Sequence, residues 1–496
     1  MTHVSRRTFI QSLAALPLAL AVPRLARAGD LMVRYDLASP QGQEMLAVFA
    51  HAVHRMETKY KDTSPMSWLW QWYTHFVNGD TTKTAEIERI FGSDNTARRQ
   101  LAEDTWDTCQ AHSGQDMNNF LPWHRMYVYY LERVVRRVTG RDDFTLPYWD
   151  YTSEDPAKRG VLPAEFRNPD DPVFGSLYRP DRRVTANSGE PIQGDRDNLM
   201  AIDGPMGQTD YEAVGVRVGF SRAINNGIHG RIHTLTGTGR GMGAVPYAGN
   251  DPLFWVHHAN IDRMWASWNN NGGVNPADAQ WAQTNFVFAD AYGQVTAPQK
   301  DYFDCTTLGY GYDAYIPGPD VSMSKMSMAL AGAAGVHPER VGQARSAAEL
   351  GARPVRVTLL PVTGAHANAA ALGLDPQRSG KRTYLVLKDL HTWSQPEVLY
   401  HVYVTPTRGG RLDDASYAGN INFFDAEFHD HGAGHDAMNM ALGQNMYSFD
   451  ITDLLQAVVR SGNPDARQAL LVTFVPGGVP TPGAKPLVAS IELMLQ

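Results

Sequence analysis

Asp251-Pro-Leu-Phe-Trp-Val-His257-His258-Ala-Asn-Ile-Asp262-Arg-Met-Trp265 is the stretch from which the fold is read. Asp251 before Pro252 is a helix start, because an aspartate N-cap accepts backbone N–H bonds and a proline at the first helical position forfeits none. Apolar residues at helical spacing follow, so one helix is expected over Pro252–Trp268. It carries two adjacent histidines whose side chains point about 100° apart, so only one of them can join a metal held elsewhere. Upstream, His229-Gly-Arg-Ile-His233 places two imidazoles at i and i+4, on one face of a helix expected over Ser221–Thr234.

A second histidine segment precedes these: His112-Ser-Gly-Gln-Asp-Met-Asn-Asn-Phe-Leu-Pro-Trp-His124-Arg. His124 opens a helix over Trp123–Val138, with Met126, Tyr130, Val134 and Val138 facing inward and Gly140 ending it. His112 lies in a loop. A third imidazole is needed, and His75, in Trp72-Tyr-Thr-His75-Phe, is the best candidate, with His51 and His54 as alternatives. Further helices are expected over Glu44–Lys59, Trp68–Phe76 and the polar stretch Ala85–Cys109, and a long loop over Tyr151–Asp210. Neutral imidazole suits copper, zinc, iron and nickel. The glutamate that follows the first histidine in zinc proteases is absent, since Gly230 stands there. Three imidazoles per site without an essential carboxylate favour copper over magnesium or calcium. Two such segments in one domain imply a binuclear centre.

The same residues resemble the type-3 copper proteins: tyrosinases, catechol oxidases (polyphenol oxidases) and, more distantly, haemocyanins. Phe120-Leu-Pro-Trp-His124-Arg resembles the family's first copper signature, and Asp251 to Trp265 the second. Gly309-Tyr-Gly-Tyr312 resembles the Tyr-x-Tyr element that closes the catalytic domain. The resemblance covers residues 45–315. It implies a mainly α, four-helix-bundle catalytic domain with one copper on His75, His112 and His124 and the other on His229, His233 and His258, leaving His257 behind them. It further implies two copper ions as cofactor, O2 as co-substrate, and oxidation of a small o-diphenol to its o-quinone with O2 reduced to water. A monophenol-hydroxylating tyrosinase or an o-aminophenol oxidase is the alternative within that class, and a haemocyanin-like O2 carrier the alternative from another.

Several positions depart from the family pattern. The interval from His112 to His124 is longer than usual. Cys109, three before His112, is placed for a thioether to that histidine, at one residue more than the fungal spacing. Gly230 stands where many monophenol-hydroxylating members have an asparagine that helps a glutamate hold a deprotonating water. No acid lies in the ten residues before His229, Glu212 being the nearest. Hydroxylation needs a base near the copper and diphenol oxidation can manage without one, so these residues lean toward catechol oxidation. Val245 stands at the family's gate position, where a small side chain implies an open entrance.

Around this core the chain divides. Ser5-Arg6-Arg7-Thr8-Phe9-Ile10, the apolar Leu13–Val22 and Ala26-Arg27-Ala28 read as a twin-arginine signal over residues 1–28, implying a bacterial protein exported folded to the periplasm or beyond. Loss of its four arginines takes the formal charge from −8 to −12, which argues against a nucleic-acid partner. No later apolar run reaches the roughly 20 residues that span a bilayer. Two cysteines, Cys109 and Cys305, are too few for a disulfide framework, though one bridge between them could form. The copper domain is placed at 29–315 and a linker at 316–350. From 351 to 496 the period falls to two, and Val355-Arg-Val-Thr-Leu, Thr383-Tyr-Leu-Val-Leu, Tyr400-His-Val-Tyr-Val, Leu470-Leu-Val-Thr-Phe and Val488-Ala-Ser-Ile-Glu-Leu read as strands of a β-sandwich or barrel-like domain. In the family such a domain can cover the active site. Phe428-His-Asp-His431-Gly-Ala-Gly-His435 with Met438, Met440 and Met446, and Met323–Met328 in the linker, are its unusual segments.

Overall fold

The computed structural model describes residues 31–107, 117–276, 282–318, 337–362, 381–408, 410–428, 445–460 and 469–496. The signal segment, Cys109, His112, His431, His435 and Met323–Met328 lie outside them.

The helical domain is built from helices joined by long connections. Helix α1 (Pro40–Thr58) starts on Ser39, whose side chain accepts the Gly42 N–H, and buries Leu46, Phe49, Val53 and Met56. Helix α2 (Trp68–His75) is capped by Ser67 and ends on His75. The stretch expected as one helix over Ala85–Cys109 is two, α3 (Lys83–Phe91) and α4 (Ala97–Asp107), because Gly92 takes φ 70° and ends the first. Helix α5 (Phe120–Thr139) begins three residues earlier than expected. Pro122 lies in its first turn, where no backbone N–H is required, and Gly140 closes it in the left-handed conformation. Helix α6 (Gly230–Thr236) follows a wide turn over Asn225–His229. Helix α7 (Pro252–Asn270) starts on Asp251, which accepts the Leu253 N–H at 2.9 Å, and every residue from Pro252 to Trp268 is buried. Between α5 and α6, residues 151–210 carry only short helical turns, as expected of a long loop. His51 and His54 are exposed on α1, which removes them from the candidate metal ligands.

Strand β1 (Met32–Arg34) is zipped in parallel to β4 (Tyr310–Tyr312), pairing Arg34 with Tyr312. A hairpin of β2 (Asn285–Asp290) and β3 (Gly293–Pro298), not foreseen in the sequence, packs Phe288 on Trp123 and Tyr130. Cys305 is a buried free thiol, and Cys109, its expected partner in a bridge, lies outside the described residues.

The C-terminal domain is one antiparallel sheet of nine strands. In chain order they are β5 (Glu339–Ala344), β6 (Ala348–Glu349), β7 (Val355–Pro361), β8 (Thr383–His391), β9 (Tyr400–Pro406), β10 (Tyr417–Ile421), β11 (Met446–Asp450), β12 (Leu470–Pro476) and β13 (Leu487–Leu495). Their spatial order is β10-β9-β12-β7-β5-β13-β8-β11, with β6 beside β13. The end strands β10 and β11 meet, Gly419 lying against the Phe449 ring, so the sheet curls into a barrel-like shell around Leu387, Val402, Val472 and Leu493. All five strands read from the sequence are present. Strands β5 and β6 fall inside the stretch read as linker and pair with β7 and β13, so the sheet begins by Glu339. Their mixed polar composition concealed them: only Val341, Gly342 and Ala348 of these eight residues are buried.

A cluster of charges sits inside the helical domain. Arg34 meets Glu132 through one guanidinium edge, Nε and Nη2, at 2.8 and 3.0 Å, and Asp262 through Nη1 at 2.9 Å. Arg125 pairs with the other oxygen of Asp262, and the Tyr310 and Tyr312 hydroxyls donate to that carboxylate at 2.7 and 2.5 Å. Burial by itself would push the Asp262 carboxyl up, but Arg125 and Arg34 outweigh it and hold it below the usual carboxylate range. The Arg34 ring contact with Tyr310, at 3.9 Å, completes the clasp. Removing one member leaves its partners charged and buried. Asp262→Asn is therefore expected to lower unfolding free energy by about 3–5 kcal/mol in denaturant titrations. A loss under about 1 kcal/mol would show that the clasp does not hold the domain.

Candidate metal centre

Helices α2, α5, α6 and α7, with the turn that leads into α6, bring His75, His124, His229, His233, His257 and His258 into one pocket, none more than 2% exposed. His229, His233, His257 and His258 each offer a ring nitrogen, and all four nitrogens lie within 4.8 Å of one another. The i, i+4 spacing acts as the sequence implied: the His229 and His233 rings are 4.5 Å apart. His124 stacks on His258 at 4.0 Å and 6°, and His75 stands 5.8 Å from His124. The two histidine sets thus meet through the His124–His258 contact. His257 instead lies against His229, at 5.5 Å, and Tyr151, at 5.4 Å. His112, the remaining expected ligand, and its neighbour Cys109 lie outside the described residues.

The hydrogen bonds fix which nitrogen faces the pocket. Nδ1 of His124 is 2.9 Å from the Phe120 carbonyl, Nδ1 of His233 is 2.7 Å from the Met242 carbonyl, and Nδ1 of His229 is 3.3 Å from the Asn225 carbonyl. A carbonyl can only accept, so each Nδ1 carries the proton and Nε2 keeps the lone pair. Burial pushes His257 down to about 3, and burial with the neighbouring imidazoles holds His258 well below its ordinary value. Neither His257 nor His258 has a hydrogen-bond partner at either ring nitrogen. Buried polar atoms are normally satisfied, and a metal held by neutral imidazoles would take up the lone-pair nitrogen of whichever of the two rings reaches it. The donor set fits copper.

The entrance differs from the expectation built on Val245. That valine is buried, 7% exposed, at the start of a short turn over Val245–Ala248. The residue over the histidines is Phe424 of the C-terminal domain, whose ring stacks on His233 at 3.9 Å and 8° and stands 5.6 Å from His229. The entrance is therefore covered. Beside it, Asn422 fills the space in front of Gly230: a Cβ there would come within 2.5 Å of the Asn422 Oδ1. Gly230 accordingly reflects docking of the two domains as well as a missing asparagine. Asn422 Nδ2 donates to the Asn226 carbonyl at 3.0 Å, Asn226 Nδ2 to the Met446 carbonyl at 2.7 Å, and the Gly239 N–H to Glu397 at 2.6 Å. Glu212 is bound by Asn118 Nδ2 at 2.9 Å, and the side chains that immediately precede the His229 turn include no acid.

Phe424 and Asn422 could not be found from the sequence, since Asn422-Phe-Phe-Asp lies far along the chain from the six histidines of the pocket and carries no spacing signal. Arg34 had a usable signal. A helix buried on all sides that contains Asp262 demands a cation from elsewhere in the chain.

Residues 65–211 and 176–271 match the family described as the common central domain of tyrosinase. A tyrosinase from Hahella sp. is 29% identical over 319 residues, covering 58% of this chain and 64% of that protein. Polyphenol oxidase A1 of Vicia faba is 29% identical over 229 residues, 40% of this chain and 37% of that protein. The chain thus spans less than two thirds of either relative. The structure of latent apple tyrosinase superposes with TM-score 0.57 at 18% identity, covering 95% of this chain and 98% of that one. A functional unit of octopus hemocyanin does so with TM-score 0.52 at 15% identity, covering 93% and 99%. At these identities the two structures establish the two-domain fold, helical core and C-terminal sheet together.

Burial pushes the Glu427 carboxyl, three residues beyond Phe424, up to about 7 from its ordinary 4.5, the Gln395 hydrogen bond opposing only part of the rise. An acid whose folded pKa is raised stabilises the fold fully below its unfolded value and loses that contribution as pH climbs through the folded one. The melting temperature of the wild-type chain should therefore fall relative to Glu427→Gln between pH 4.5 and 7. Parallel pH profiles for the two proteins would refute the assignment.

Proposed function

We propose that this chain, a member of the tyrosinase family through its central domain, is a binuclear copper oxidase that converts o-diphenols to o-quinones while O2 is reduced to water. The observation that carries the reading is the sealed cluster of six imidazoles on helices α2, α5, α6 and α7 and the turn before α6, with the Nε2 lone pairs of His124, His229 and His233 fixed by carbonyl bonds. His75, His112 and His124 would hold one copper, and His229, His233 and His258 the other. His258 is preferred to His257 because it alone of the two stacks on His124. Bound copper supplies O2 binding and accepts the two electrons of a catechol. The protein's part is to keep the imidazoles neutral, fix their rings and exclude water from the pocket.

The lean toward diphenols rests on the absence of a carboxylate just before His229 and on Gly230. The hemocyanin likeness extends to fold and no further, and the twin-arginine segment favours an exported, bacterial enzyme over a carrier. With Phe424 stacked on His233, a phenol reaches the pocket only after the C-terminal domain shifts, so the described state is a closed one.

Three measurements test this. Copper-loaded protein given catechol, a monophenol and an o-aminophenol should take up O2 fastest with catechol. Reversible O2 binding without turnover, even after the C-terminal domain is cut away, would overturn the oxidase reading. Phe424→Ala should raise kcat/KM for catechol by about tenfold or more, because apparent affinity scales with the fraction of open molecules. His258→Ala should bind one copper per chain and His257→Ala two, by metal analysis; the reverse pattern would exchange their roles.

A further inference from the structure

A second cleft, of about 330 Å³, opens between the two domains and is lined by none of the six histidines. One wall belongs to the helical domain and carries Arg222 and Arg231. The other belongs to strands β10 and β11 and carries Ser448 and Asp450. Asp450 is the one acid among the lining residues, and it is engaged by Arg382. The charge left facing the cleft is positive.

Arg231 is the group that stands out. Its Nη2 donates to the Ala201 carbonyl at 3.1 Å, while its Nε is buried with no hydrogen-bond partner. The groups close enough to act on its charge are the phenols of Tyr417, Tyr447 and Tyr151, with no carboxylate among the described residues. Across the cleft, the Ser448 hydroxyl is also buried and unpartnered. A guanidinium presents two parallel N–H groups to a planar oxyanion, and a hydroxyl opposite supplies a third donor. Unpartnered donors on both walls suit a ligand rich in acceptor oxygens. Pro205, Val218, Met446 and Phe449 add apolar surface suited to a ring, beside the amides of Gln208, Asn226 and Asn420. The volume lies at the small end of ordinary ligand sites.

We propose that this cleft binds a small aromatic oxyanion, its carboxylate or phosphate held between Arg231 of the helical domain and Ser448 of the sheet. The ligand bridges the domains at a place distinct from the metal centre, and its binding does not depend on copper.

Calorimetric titration of the full chain, with and without copper, tests the site. The probes are 3-phenylpropanoate, its neutral amide, and phenyl phosphate. The carboxylate should bind once per chain in both copper states, and the amide at least about tenfold more weakly. The tighter of carboxylate and phosphate names the preferred head group, and either supports the site. Arg231→Gln and Ser448→Asp, on opposite walls, should each weaken binding at least about tenfold. Equal binding of carboxylate and amide to the wild-type chain would overturn the proposal, and that comparison needs no variant. So would unchanged binding in both variants, binding that requires copper, or no binding of either anion at about 20 mM, weaker than the millimolar affinities of the feeblest specific complexes.

Discussion

Everything in the helical domain hangs on the neutralisation of Arg34 and Arg125 by Asp262 and Glu132. Four charges in an interior with little water are stable only as a set. The set joins four places in the chain: strand β1, helices α5 and α7, and the Tyr310–Tyr312 strand that contributes two hydroxyls. Arg125 is the residue after His124, and Asp262 lies one helical turn beyond His258. The salt bridge between them therefore sets how α5 and α7 face each other, and with that the stacking of His124 on His258. Metal-site geometry is a by-product of charge pairing one turn away.

This relation explains what the sequence disclosed. Helices α5 and α7 were legible because their patterns are long and punctuated: a proline near each start, an aspartate cap on α7, a glycine after α5. The ligands on those helices, with the His229–His233 pair, were legible for the same reason, since helical spacing turns sequence intervals into directions in space. The five most apolar strands of the sheet could be read from their alternation, while β5, half solvent-facing, could not. The hairpin β2–β3 and the division of the polar stretch at Gly92 were missed because local signals there are weak and tertiary packing decides.

What sequence reasoning could not reach was the relation between domains. Phe424 on His233 and Asn422 against Gly230 are contacts across nearly two hundred positions, made by residues of ordinary type. Val245 implied an open entrance because the gate was sought within the helical domain. The occupant comes from the sheet. Gly230, read as a statement about substrate, is also the place where the absence of a side chain lets the two domains close. One residue answers to two constraints, and its identity alone does not separate them.

The span of the charge clasp has a consequence for how the chain acquires its shape. Arg34 and Tyr312 are 278 positions apart yet share a hydrogen bond at 3.0 Å. Contacts of such separation are slow to form, because a long loop must close before they reward it. During synthesis the first strand can find Glu132 early, but its strand partner Tyr310–Tyr312 is made only when almost the whole helical domain is. Docking of Tyr310–Tyr312 is therefore the closing event of that domain, and the histidine pocket comes into register only then. The sheet that follows arrives after the domain it covers is already complete.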